Sequence, residues 1–84
     1  MRDYLSEMVE AGFTVTITKH QGVVRGTFGT SVQGSSFGTK GDSAEGVVEK
    51  AYRRCMERFG SLNQSDIERV VQAEWERHLA SLGR

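Results

Sequence analysis

Phe13-Thr14-Val15-Thr16-Ile17-Thr18-Lys19-His20-Gln21-Gly22-Val23-Val24-Arg25-Gly26-Thr27-Phe28 alternates apolar and polar residues on either side of a glycine. Phe13, Val15 and Ile17 fall on one face of a strand and Thr14, Thr16 and Thr18 on the other, the period of a half-buried β-strand. Gln21-Gly22 supplies a two-residue turn. Closing that turn sets Ile17 opposite Gly26 and Val15 opposite Phe28, with every large apolar residue on one face. A slip of one residue would scatter them. Gly26 then leaves room above Ile17 for a helix side chain or a bend.

The same pattern extends C-terminally. Seven of the ten glycines lie between Gly22 and Gly46, in a run rich in Thr, Ser and Val with no proline and no acid before Asp42. Strands are expected over 13–20, 23–32 and 35–40. A second turn at Gln33-Gly34 would pair Thr30 with Phe37.

Helices flank the strands. Asp3 is placed to cap a helix over 4–11 with Leu5, Met8 and Val9 on one side, closed by Gly12 and Phe13. Asp42-Ser43-Ala44-Glu45 resembles a capping box. Ala44, Val47, Val48, Ala51, Tyr52, Cys55 and Phe59 follow it at helical spacing, so a helix is expected over 43–59, ended by Gly60. Ser65-Asp66-Ile67-Glu68 opens another over 66–82, striped by Ile67, Val71, Trp75, His78, Leu79 and Leu82. The fold expected is a single α+β domain over 1–84 in the order α-β-β-β-α-α. Its three-stranded antiparallel meander carries helices on one face.

The bulk numbers exclude several classes. Eighty-four residues make one domain with a thin core. No apolar run approaches the length of a membrane span. Met1-Arg2-Asp3-Tyr4 lacks the core of a signal peptide. The single cysteine cannot form an internal disulfide, which fits a reducing cytoplasm. No cofactor is implied. One cysteine and two histidines without ligand spacing offer no metal shell, so no metal site is expected. Cys55, on the buried stripe near the C-terminal end of its helix, reads as a core residue rather than a nucleophile. Gly34 to Gly41 resembles a phosphate loop only loosely, because Lys40 is followed by Gly41-Asp42. No catalytic set is visible, and an enzyme is not expected.

Net charge is zero, but it is unevenly spread. Residues 11–41 carry Lys19, Arg25 and Lys40 and no acid. Three surfaces are therefore candidates for partner binding. One is the polar sheet face with Thr16, Thr18, Arg25 and Lys40, which would meet an anion or an acidic partner unless it is simply solvated. The second is Arg53, Arg54 and Arg58, either a contact patch or a solvated helix face. The third is Trp75 with its stripe. The sheet's apolar face is claimed by the long helix, so the last helix either packs locally or mediates homodimerisation or partner binding.

Three resemblances follow from these residues. The α-β-β-β-α order over 3–59 resembles a double-stranded-RNA-binding domain. That family opens its last helix with Gly-x-Ser-Lys-Lys-x-Ala-Lys. Gly41 and Ser43 match and Val47 and Ala51 hold packing positions. The lysine positions are Ala44, Glu45 and Val48, so the resemblance implies the fold without the RNA contact. Gly41-Asp42-Ser43-Ala44-Glu45-Gly46 looks like the strand-to-helix junction of HicB-type antitoxins, which implies an antitoxin-like regulator. The outline from Phe13-Thr14-Val15-Thr16-Ile17 to Ala51 is similar to small phage-encoded anti-CRISPR proteins. It implies a non-enzymatic inhibitor that occludes a protein partner in the host cytoplasm. Nucleic-acid binding through the sheet and helix arginines is the alternative, weakened by the zero net charge.

Overall fold

A computed structural model describes residues 3–83. The order is α1 (Tyr4–Glu10), β1 (Thr14–His20), β2 (Val23–Gly29), β3 (Phe37–Gly41), α2 (Ala44–Phe59) and α3 (Gln64–Leu82). The strands form one antiparallel sheet, β1-β2-β3. The α+β class and the α-β-β-β-α-α order are those expected from the sequence.

The first hairpin follows the alternation. Ile17 faces Gly26 and Val15 faces Phe28. Gln21 and Gly22 both have positive φ, 49° and 79°, as a type I′ turn requires. On the inner face, Gly26 is where the long helix touches the sheet. A Cβ there would lie 2.5 Å from Val47 Cγ1 and 2.8 Å from the Phe28 ring. The missing side chain lets Val47 sit directly on strand backbone. Thr39 adds a tether by donating its hydroxyl to the Val47 carbonyl, 2.7 Å away.

The second connection departs from expectation. β2 ends at Gly29 rather than 32, β3 spans 37–41 rather than 35–40, and Phe37 pairs with Phe28 instead of Thr30. Hydroxyl groups are the cause. Thr30 Oγ1 accepts from Val32 N at 3.0 Å, and Ser35 Oγ donates to the Val32 carbonyl at 2.7 Å. Thr30 and Ser35 also bond each other. These bonds fold residues 30–35 onto themselves and compete with the ladder. Residues 30–36 separate the two strands, so this connection is not a two-residue hairpin turn. The register moves by two residues, which preserves the faces, and the Phe28 and Phe37 rings stack 5.6 Å apart.

Helix ends obey capping chemistry with small shifts. Asp3 accepts from Ser6 N at 3.1 Å, and its hydrogen bonds to Ser6 lower its carboxyl pKa. Gly12 N–H bonds to Val9 O and Phe13 N–H to Met8 O, the paired bonds of a Schellman end. Ser43, not Asp42, caps α2 by accepting from Gly46 N. Asn63, not Ser65, caps α3, which therefore starts two residues earlier than expected.

The core is Met8, Phe13, Val24, Phe28, Val47, Val48, Ala51, Cys55, Phe59 and Ile67. On α1 only Met8 is buried; Leu5 and Val9 are exposed, contrary to the expected shared face. Tyr4 instead turns toward α2, its ring 4.7 Å from that of Tyr52. Helix α3 enters the core only through Ile67. Its 19 residues extend for about 28 Å. The radius of gyration is 14.3 Å, against about 12 Å for a compact chain of this length. No helix among the described residues is long and apolar enough to cross a membrane.

Candidate functional site

The outer face of the sheet places the polar residues in rows. Thr18, Arg25 and Lys40 lie side by side across the three strands, and Thr16, Thr27 and Gly38 form the next row. Arg25 and Lys40 are direct cross-strand neighbours. Like charges so placed oppose strand pairing, and neither has a carboxylate within ion-pair distance among the described residues. The sequence expectation that Thr18, Arg25 and Lys40 share a surface is met in geometry, with Thr16 one row away.

The three helix arginines do not form one open patch. Arg53 pairs with Glu49 at 2.9 Å along α2. Arg54 reaches over β3 and donates to the Gly38 carbonyl at 3.1 Å. Lys50 does the same at the Lys40 carbonyl, 2.9 Å away. Both carbonyls belong to the free edge of the sheet, so these two side chains seal it. Arg58 pairs with Glu74 of α3 at 3.0 Å and stacks over Phe59. It joins the two helices. Sequence reading grouped these residues by spacing alone and had no way to place Lys50 or Arg54 on β3 without its register.

Trp75 lies in the open. It is 58% exposed, with Leu79 at 48% and Leu82 at 67%. Its ring stacks on His78 of the same helix, 5.6 Å away. A groove runs beside it between α3 and the loop after β2, with Val71, Trp75 and Leu79 on one wall and Val32, Gln33 and Gly34 on the other. Glu68 and Glu76 stand at its rim and Glu74 is tied to Arg58. The contribution of Val32 to this groove was not legible in a stretch read as strand.

Cys55 is fully buried and donates weakly to the Ser61 carbonyl at 3.4 Å. Burial pushes its thiol up to about 11, against a smaller opposing pull from Arg58. It is a neutral core side chain, the reverse of an activated nucleophile. His20 ends β1 on the surface and His78 lies on the exposed stretch of α3. Among the described residues, no three His, Cys, Asp or Glu side chains gather as metal ligands would. Compared with known proteins, the chain matches no family model, no curated protein and no solved structure.

Proposed function

We propose that this chain is a non-enzymatic binding protein that acts by covering the surface of a protein partner, with the α3 stripe as its contact. One observation carries the reading. Trp75, Leu79 and Leu82 form an apolar stripe on a helix whose one fully buried side chain is Ile67, in its first turn, and whose last tie to the body is the Glu74–Arg58 pair. Contiguous exposed apolar side chains of this kind mark interaction surfaces, and tryptophan is the residue most often found as a binding anchor. The acidic rim of Glu68 and Glu76 favours a partner with cations around an apolar centre. Within this class, the outline from Phe13 to Ala51 favours an inhibitor of the phage anti-defence kind.

Tagged wild-type protein and Trp75→Ala, each passed over the same bacterial lysate, test the reading. A stoichiometric protein held by the wild type and lost from the variant is expected. Equal retention by both would move the contact away from α3. Recovery of no stoichiometric protein would count against the binding function itself.

A second reading, nucleic-acid binding, rests on the acid-free pair Arg25 and Lys40 on the sheet. Phosphates are the anions such a pair would accept, and binding through them weakens steeply with salt. A low-salt gel shift that fades with added salt and is lost in Arg25→Ala would favour this reading over the first.

A further inference from the structure

The two free edges of the sheet are treated differently. The turn at Gln21-Gly22 makes His20 and Val23 a hydrogen-bonded pair. Counting back along β1, Thr14, Thr16, Thr18 and His20 direct their backbone groups at β2. Val15, Ile17 and Lys19 direct theirs away from the sheet. The same count through β2 places Gly38 and Lys40 outward on β3, where Arg54 and Lys50 bond their carbonyls. No side chain among the described residues bonds the outward groups of β1. That edge is seven residues long and lacks both proline and a bulge, and Lys19 near its end is the one charge on it. Proteins ordinarily guard such an edge.

Beside β1 the inner face is also unfinished. Helix α2 covers β2 and β3, leaving Val15 and Ile17 only half-buried. A groove lined by Tyr4, Leu5, Ile17 and Val48 opens there, with the carboxylates of Asp3, Glu45 and Glu49 around it.

We infer that β1 pairs antiparallel with β1 of a second copy of this chain, joining two sheets into one of six strands. A second β1 complements this edge in charge and pattern. Centred on Ile17, the pairing sets Ile17 opposite Ile17, Thr16 opposite Thr18, Val15 opposite Lys19 and Thr14 opposite His20. Outward-facing backbone groups meet outward-facing ones, and no like charges lie opposite each other. Lys19 lies on the inner face of β1, so each copy brings a cation to the face where the other holds the Glu45 carboxylate, beside Asp3, which caps α1, and Glu49, which pairs with Arg53. A twofold axis closes this contact, because one patch carries both halves of the complement. The contact leaves α3 untouched and does not depend on the binding role proposed for it.

Light scattering on wild type, Lys19→Pro and Trp75→Ala tests the inference. Proline at 19 removes an outward N–H while sparing the β1–β2 ladder. A dimeric wild type, a monomeric Lys19→Pro with unchanged circular dichroism and a dimeric Trp75→Ala are expected. A monomeric wild type at high concentration overturns the inference. So does a dimer that survives Lys19→Pro or is lost in Trp75→Ala. Should Lys19→Pro fail to fold, hydrogen exchange on the wild type decides. The amides of Val15, Ile17 and Lys19 should slow on the order of a hundredfold between dilute and concentrated protein. Exchange that does not change with concentration contradicts the pairing.

Discussion

Helices α2 and α3 carry the same kind of message in sequence and meet opposite fates. Both present apolar residues at helical spacing. On α2, Val47, Val48, Ala51, Cys55 and Phe59 are all buried against the sheet and its neighbours. On α3 the stripe is buried at Ile67, half-buried at Val71 and open from Trp75 onward. Periodicity shows that a helix has an apolar face; the supply of opposing surface decides whether that face is filled. Here the sheet has one apolar face, and α2 occupies its part over β2 and β3. Gly26 lets α2 approach so closely that Val47 rests on strand backbone. The part left open, beside β1, is bordered by α1 and the start of α2 and not by α3.

The difference predicts a graded response to truncation. Phe28→Ala lies under α2 at the centre of the core and should cost about 3–5 kcal/mol, as for other buried phenylalanines. Urea unfolding followed by circular dichroism measures this, and a loss below about 1 kcal/mol would mean that the sheet and α2 are not packed as described. Ile67→Ala removes the one fully buried side chain of α3 and should cost about 2–5 kcal/mol in the same assay.

The Cys55 thiol gives a pH signature of the α2 side. Its folded value of about 11 lies above the ordinary thiol value of 9.0, so the unfolded chain loses this proton first. The stability it contributes is complete below pH 9 and is lost as pH rises toward 11, by up to about 2 kcal/mol. Cys55→Ala should lack that part of the decline. A wild-type decline identical to that of the variant would place the thiol in water instead.

The smallest effect is expected on the open side. Trp75→Ala should change stability by no more than about 0.5 kcal/mol, the range for exposed substitutions away from packed features. A loss as large as that of Ile67→Ala would mean that the α3 stripe is packed within the chain, and the contrast between the two helices would disappear.

Much of this architecture was legible because local chemistry dictated it. The alternation Phe13 to Ile17 and the Gln21-Gly22 turn allow one register, and Gly12 and Gly60 end helices with positive φ as their positions require. The connection after Gly29 was not legible, because Thr30 and Ser35 choose between ladder and loop through side-chain bonds that composition does not reveal. The grouping of Thr18, Arg25 and Lys40 needed only the correct faces and survived a register shift of two. The edge-sealing roles of Lys50 and Arg54 needed the register itself. The exposure of Leu5 and Val9 depended on where α1 docks, which its short pattern leaves open.

Trp75 is the only tryptophan, so its fluorescence reports on the uncovered stretch of α3 without interference. Acrylamide quenching of the native protein, in the absence of any partner, is the most direct test. Water-like emission and quenching close to that of the urea-unfolded chain are predicted. Blue-shifted emission shielded from the quencher would contradict the claim that α3 keeps its apolar face open while α2 spends its own on the sheet.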